Sequence, residues 1–99
     1  MKVKISSQHV SPETKLEQFI EEKVVKLEHF DENLSEAEVI LSLERGKAPN
    51  FDSKVVKIKL YGRDGGYFAE KKASSFEEAT LEAIDALRRQ IIKSKDKKR

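Results

Sequence analysis

An apolar stripe at helical spacing runs through residues 76–91, and it restricts the fold of this chain more than any other feature. Ser74 and Ser75 precede the stripe, and each has a glutamate three residues further on, which is the capping-box arrangement that begins helices. A helix with one continuous apolar face has to cover another apolar surface. The stripe consists of Phe76, Ala79, Thr80, Ala83, Ile84, Leu87 and Ile91.

Four other stretches alternate apolar and polar residues with period two, the pattern of half-buried strands. We predict strands over residues 2–8, 36–45, 54–61 and 67–72. In the fourth strand we place Tyr67 and Ala69 on the inner face, in preference to Phe68. In the second strand, the inner face is predicted to consist of Ala37, Val39, Leu41 and Leu43.

A second amphipathic helix is predicted between the first two strands. Ser11 and Pro12 form a typical helix start, because the serine oxygen can accept an unpaired N–H and proline lacks the donor that would be unsatisfied there. We expect this helix to end near His29, with Phe30 closing it. Its buried side is predicted to contain Leu16, Phe19, Ile20, Val24 and Leu27.

The predicted order is therefore β-α-β-β-β-α. Residues 46–53 are predicted to form a hairpin loop, and the glycine-rich residues 62–66 a tight turn. This order predicts an α+β sandwich: a four-stranded sheet with two helices packed on one face. We expect one domain over residues 1–93 and a basic tail over residues 94–99, formed by the end of the last helix or disordered.

Charge is distributed unevenly along the chain. From residue 88 onward there are seven basic residues and one acidic residue, a balance of +6, whereas residues 1–87 have a balance of −4. Basic residues at a helix C-terminus complement the helix dipole, but seven exceed that need. The asymmetry indicates a polyanionic partner, most often a nucleic acid.

The basic residues of the last helix fall on two flanks. Arg89 and Lys93 lie one turn apart on one flank, and Arg88 and Lys95 lie on the other. Lys23 and Lys26 border the apolar side of the first helix and can share a groove with one of these flanks; the sequence does not decide which. The alternative is a solvated surface with intrahelical pairs such as Glu22 with Lys26 and Asp85 with Arg89. Lysines on the outer sheet face are expected to be neutralised across strands by Glu38 and Glu44.

The sequence offers no catalytic or metal-binding constellation. His9 and His29 have no nearby nucleophile and no metal-ligand spacing, so both are expected at the surface. The glycine-rich turn joins two strands and lacks the following helix of a phosphate-binding loop. With no cysteine and no apolar run of about 20 residues, we expect a cytoplasmic protein without membrane spans, cofactor or small-molecule substrate.

Three segments resemble the ribosome hibernation promoting factor family, also called ribosome-associated inhibitor, protein Y or sigma-54 modulation protein. The segments are KVVKLEHFD (Lys23–Asp31), FAEKKASSFEEA (Phe68–Ala79) and AIDALRRQIIKSKD (Ala83–Asp96). The resemblance spans nearly the whole chain, and the chain is similar to the short form of the family. It implies a non-catalytic bacterial or plastid stress protein that docks in the messenger and transfer RNA channel of the small ribosomal subunit.

The resemblance also implies which residues contact ribosomal RNA. They are basic residues on the two helices, and the matching positions are Lys23, Lys26, Arg88, Arg89, Lys93, Lys95 and Lys97. A short form would need a second factor to pair ribosomes, or would pair none. Two other functions stay open: a double-stranded RNA-binding module, whose α-β-β-β-α order is contained in this one, and a protein-binding modulator of sigma-54 RNA polymerase.

Overall fold

The predicted order of elements is confirmed. The computed structural model describes residues 1–46, 53–63 and 65–97. For residue 97 it describes the backbone alone. Residues 47–52 of the predicted loop and Asp64 of the predicted turn lie outside the described residues. The elements are β1 (Lys2–Ser7), α1 (Thr14–Val25), a 3-10 turn (Lys26–His29), β2 (Leu34–Glu44), β3 (Ser53–Gly62), β4 (Gly65–Ala73) and α2 (Phe76–Lys97).

The four strands form one sheet in the order β1-β2-β3-β4. β1 pairs with β2 in parallel, and α1 makes the crossover that such a pair requires. The β2–β3 and β3–β4 pairs are antiparallel, with Val39 opposite Ile58 and Ile58 opposite Ala69. Both helices cover the face that carries these three residues, as the α+β prediction required.

The core lies between that face and the helices. Ile20, Val24 and Leu27 enter it from the first helical segment, and Ala83, Leu87 and Ile91 enter it from α2. Burying one such aliphatic side chain contributes roughly 1.5–3 kcal/mol, so this layer supplies most of the stabilisation. Within β4, Ala69 is buried and Tyr67 packs against the core, while Phe68 is exposed, which confirms the predicted inner face.

α2 begins with the predicted cap, and Ser75 is the residue that provides it. The Glu78 N–H donates to Ser75 Oγ over 3.1 Å. The Ser74 hydroxyl donates to the Glu78 carboxylate over 3.1 Å, so both serines and this glutamate act together. The cap satisfies a backbone donor that the first turn of the helix leaves unpaired.

The predicted start of α1 is wrong. Glu13 is still extended, with φ −71° and ψ 151°, and its side chain makes no capping hydrogen bond, so the helix begins at Thr14. The residues before it carry the chain from the sheet to the helix layer: the Gln8 N–H donates to the Leu41 carbonyl over 2.9 Å, and the Ser7 hydroxyl donates to the Val10 carbonyl over 2.7 Å. The predicted cap residues therefore lie in a connection.

One apolar residue that we expected to be buried is exposed. Leu43 has the inward parity of β2, but it lies at the far end of the strand, beyond the core cluster. Phe30 follows the 3-10 turn and is also exposed. Periodicity identifies a face of a strand, but the length over which a helix covers that face depends on packing.

The topology makes the two helices run in the same direction. β4 is parallel to β2, because each is antiparallel to β3. α1 leads into the start of β2, and α2 runs back from the end of β4. The C-terminal ends of both helices therefore lie at the end of the sheet where β2 begins. α2 packs against α1 and against the 3-10 turn.

Candidate nucleic-acid interface

The flank of α2 that faces α1 carries Arg88 and Lys95. Glu77 in the first turn of α2 lines a shallow depression together with Leu16 and Phe19 of α1. At the other end, the Lys95 ammonium lies 3.7 Å from the Asp31 carboxylate, just beyond the 3-10 turn. Residues 77, 88 and 95 are spaced by three turns and two turns of helix, so Arg88 lies on this same flank. The structure thereby decides the question that the sequence left open.

Lys23 occupies the matching position on α1. Its ammonium lies 5.5 Å from the centre of the Phe19 ring, and the side chain is half-buried along that ring. Phe19 lines the depression that α1 shares with Glu77 of α2, so Lys23, one turn further on, also faces α2. The contact restrains the lysine stem at the boundary between the helices and leaves the charged end toward solvent.

Arg88 and Arg89 share one carboxylate. Asp85 accepts a hydrogen bond from Arg88 at 2.7 Å and pairs with Arg89 at 2.9 Å. The Arg88 hydrogen bond lowers the pKa of Asp85, and the charges of Arg89 and Lys71 lower it further, so the carboxylate is ionised at neutral pH. One negative charge faces two guanidiniums, and the group keeps a net positive charge; exposed pairs of this kind contribute little to stability.

The other predicted residues lie on the same layer with fewer internal contacts. Arg89 is 75% exposed at its side chain and points away from the sheet. Lys26 and Lys93 are exposed and form no ion pair with any described residue. Lys93 lies on the flank opposite Arg88, toward the edge of β4. The side chain of Lys97 lies outside the described residues.

Together these residues form a basic surface on the outward side of the helix layer. We call it the basic helical face, and it consists of Lys23, Lys26, Arg88, Arg89, Lys93 and Lys95. Arg88, Arg89 and Lys95 have carboxylate partners, whereas Lys23, Lys26 and Lys93 have none among the described residues. Of the two intrahelical pairs named by the alternative interpretation, Asp85 with Arg89 therefore forms and Glu22 with Lys26 does not.

The contact of Lys95 with Asp31 was not predicted. Asp31 is only 2% exposed, and its Oδ1 accepts the Asn33 N–H over 3.0 Å, which closes the turn into β2. Lys95 therefore joins the end of α2 to that turn. The two residues are 64 positions apart, and no local pattern could have indicated the contact.

Replacing Asp31 by alanine should destabilise the fold by about 2 kcal/mol, because the Asn33 N–H loses its acceptor in a buried place. Asp31→Asn keeps an acceptor oxygen and loses the charge, so we expect a smaller loss. Urea denaturation of the three proteins measures the difference. Equal losses for both variants would instead assign the effect to the Lys95 ion pair.

The opposite face of the sheet is neutralised in part. Lys4 pairs with Glu36 at 3.3 Å, Lys57 with Glu70 at 3.6 Å and Lys72 with Glu44 at 2.5 Å. The Glu44 hydrogen bond raises the pKa of Lys72, so this lysine remains charged at neutral pH. Of the two predicted glutamates, only Glu44 takes part. Lys2 and Lys59, which also lie on this face, form no ion pair with a described residue, so cross-strand pairing engages three of its five lysines.

Other kinds of site receive no support from the described part of the chain. His9 and His29 are both exposed, as expected. Within residues 1–46, 53–63 and 65–97, no three histidine, cysteine or acidic residues are grouped to hold a metal ion. No described helix has the length and apolar character needed to cross a bilayer.

The fold is shared with proteins of known structure. The N-terminal domain of Protein Y from Thermus thermophilus superposes with a TM-score of 0.79 at 20% identity, covering 92% of this chain and 96% of that one. A ribosomal subunit interface protein from Coxiella burnetii superposes with a TM-score of 0.82 at 17% identity, covering 97% and 99%. At these identities the likeness establishes the α+β architecture. No curated protein matches the sequence.

The sequence itself establishes the family. Its profile, described as sigma 54 modulation protein / S30EA ribosomal protein, matches residues 3–99, nearly the whole chain. The chain belongs to this family, which confirms the resemblance to hibernation factors. The family consists of ribosome-associated factors and is not a known enzyme family.

Proposed function

We propose that this protein binds ribosomal RNA of the small subunit through the basic helical face and inactivates ribosomes under stress by filling the messenger and transfer RNA channel. The observation that carries the proposal is the clustering of cations toward the ends of both helices. Lys23 and Lys26 lie at the end of the first helical segment, and Arg88, Arg89, Lys93 and Lys95 lie in the second half of α2. On the other face of the sheet, three of the described lysines are paired with glutamates across strands. A polyanion therefore has one preferred side on which to dock.

The proposed mechanism needs no reaction. Lysine and arginine neutralise backbone phosphates and release counterions, and the rigid sandwich behind them excludes other ligands from the occupied volume. Ribosomal RNA presents irregular phosphate surfaces, so recognition rests on shape and charge more than on base sequence. The Coxiella burnetii protein of the same fold is a ribosomal subunit interface protein, which supports the ribosome as the partner of this chain too.

Salt dependence tests the electrostatic mechanism. If the six side chains of the basic helical face contact phosphates, the logarithm of affinity should fall with the logarithm of salt concentration at a slope of about −4 to −5. Sedimentation of purified protein with small subunits, large subunits and a free RNA duplex across a salt series measures this slope. Association that does not respond to salt would contradict the mechanism.

The same sedimentation series tests the first alternative, and a pull-down tests the second. Binding to the free duplex as tight as binding to small subunits would favour a double-stranded RNA-binding module. Recovery of a polymerase subunit in a pull-down that survives high salt and nuclease would favour the sigma-54 modulator. The proposal requires small subunits to be preferred over both.

Removing the negative charge at Asp85 should tighten RNA binding. In Asp85→Asn, Arg88 and Arg89 no longer face a carboxylate, so more positive charge is available to phosphates. A unit charge within several ångströms of one or two phosphates changes affinity by about threefold to tenfold in water. Titration of labelled small subunits measures the change.

Glu78→Gln is the matched control, since it removes a carboxylate from the first turn of the same helix, away from the arginines. It is expected to leave the affinity nearly unchanged. Weaker binding by Asp85→Asn would show that Asp85 holds the arginines in their productive orientation instead of competing with RNA.

A further inference from the structure

Two aromatic rings lie uncovered on the sheet face opposite the basic helical face. Tyr61 is 44% exposed near the end of β3, and Phe68 is 47% exposed on β4. In the register of the hairpin, Tyr61 is opposite Gly66 and Phe68 is opposite Lys59, so the two rings are diagonal neighbours. Diagonal positions are roughly 7–8 Å apart, within the reach of aromatic side chains.

Elsewhere on this face, an apolar residue is covered. Val55 is only 4% exposed, although it points away from the helices. The ion pair between Lys72 and Glu44 joins β4 to β2 and therefore crosses β3 close to Val55. No described ion pair spans the sheet in this way at Tyr61 and Phe68, which leaves this end of the face open.

The position opposite Tyr61 on β4 is occupied by Gly66, and it has no room for a side chain. A Cβ atom at Gly66 would lie 2.8 Å from the Leu60 carbonyl oxygen, so a side chain cannot be placed there without moving the strand. The glycine leaves a depression lined by Lys59, Tyr61, Gly66 and Phe68. The depression presents aromatic surface that is open to solvent.

The backbone of Phe68 is held from the other side of the sheet. Gln90 of α2 donates through Nε2 to the Phe68 carbonyl over 2.8 Å and accepts the Phe68 N–H over 3.4 Å. This clamp occupies the free hydrogen-bonding groups of the edge strand at that residue. Phe68 is thus positioned before any ligand binds, which lowers the entropic cost of binding.

Lys59 supplies a positive charge beside the rings. It lies directly between Glu38 on β2 and Phe68 on β4, it is exposed, and it forms no ion pair with a described carboxylate. Arg63, at the hairpin turn, is also exposed and forms no described ion pair. The neighbouring acids Glu36 and Glu70 are each engaged with a lysine.

We propose that Tyr61 and Phe68 form a stacking site for unpaired bases of single-stranded RNA, with Lys59 contacting the adjoining phosphate. Base stacking on exposed aromatic rings, combined with nearby cations, is the way in which open sheets bind single strands. A protein partner fits the site less well. The uncovered halves of two aromatic side chains amount to about 200 Å², whereas a stable protein interface covers roughly 800 Å² on each partner.

Fluorescence anisotropy with a short labelled oligoadenylate tests the site, with an abasic strand of the same length as the second ligand. The abasic strand keeps the phosphates and lacks the bases, so wild-type protein should bind it about tenfold more weakly. Phe68→Ala and Tyr61→Ala should each weaken oligoadenylate binding by about threefold or more, since each ring supplies part of the tenfold difference, and should bind the abasic strand as wild type does. Phe68→Tyr, which keeps a ring, should retain binding.

Leu81→Ala is the matched control, because Leu81 is similarly exposed but lies on α2. Its affinity for oligoadenylate should equal that of wild type. Equal binding of both strands by wild type, or unchanged binding by Phe68→Ala, would overturn the proposal. A ribosomal protein captured by wild type and lost by Phe68→Ala, with oligoadenylate affinity unchanged, would also overturn it.

This test is independent of ribosome docking through the helices, because no ribosome is present. A variant with Lys23 and Arg88 both changed to glutamate should still distinguish oligoadenylate from the abasic strand. Loss of that discrimination in this variant would place the base site on the helices and would contradict the assignment to the sheet.

Discussion

Reversing the charges of Lys23 and Arg88 together is expected to weaken binding to small ribosomal subunits by at least about a hundredfold. Each side chain comes from a different helix, and both border the boundary between α1 and α2. A charge near a phosphate is worth about 1 kcal/mol in water, and reversal both removes the attraction and adds repulsion. Two reversals therefore exceed the roughly 2.7 kcal/mol that a hundredfold change requires. Gradient sedimentation of the variant with subunits measures the loss.

The matched control changes the net charge equally at another place. Lys2→Glu with Arg45→Glu alters two exposed residues outside the helix layer, on the first strand and just beyond the second. We expect a loss of less than about threefold, mainly from a weaker long-range field. Equal losses for the two double variants would show that net charge alone drives association, and the basic helical face would lose its proposed role.

Replacing Leu87 by alanine is expected to reduce the free energy of unfolding by about 3 kcal/mol. Leu87 is completely buried in the middle of α2, where the helix packs on the sheet. The substitution removes apolar contacts and leaves a cavity that neighbouring backbone cannot fill. Urea denaturation followed by circular dichroism measures the change in the midpoint.

Leu81→Ala provides the comparison on the same helix. Leu81 is about half exposed, so truncation should cost less than about 0.5 kcal/mol. Below the unfolding midpoint, Leu87→Ala should retain the salt dependence of RNA binding, because the basic side chains project from the other side of α2. A small effect of Leu87→Ala would mean that α2 is not anchored by this layer of the core.

Fold prediction succeeded where a local pattern reports burial directly. The stripe from Phe76 to Ile91 lies on the sheet, and the cap at Ser75 forms as expected. The predictions that failed concern the ends of elements. Ser11 and Pro12 favour a helix start, yet the connection from β1 needs those residues to cross to the helix layer. Leu43 follows the period of its strand but lies beyond the area that the helices cover.

At the candidate interface, sequence reasoning identified the types of residue and their flanks but not their neighbours. Helical spacing separates Arg88 and Lys95 from Arg89 and Lys93. It does not indicate that Arg88 and Lys95 face α1, because that depends on how two distant segments pack. Asp85 forms ion pairs with both Arg88 and Arg89. The pair with Arg89 was predicted from its spacing of four residues, whereas the pair with Arg88, which a spacing of three residues equally allows, was not.

The amino-acid sequence by itself determined the order of elements, the inner face of each strand, the family and the excess of positive charge toward the end of the chain. These properties depend on periodicity, capping and composition, all of which act within a few residues. Only the tertiary structure decided which flank of α2 meets α1, that Lys95 reaches Asp31, and that Tyr61 and Phe68 remain uncovered beside Gly66. Those features arise from contacts between residues far apart in sequence, and strand register and helix packing set them together.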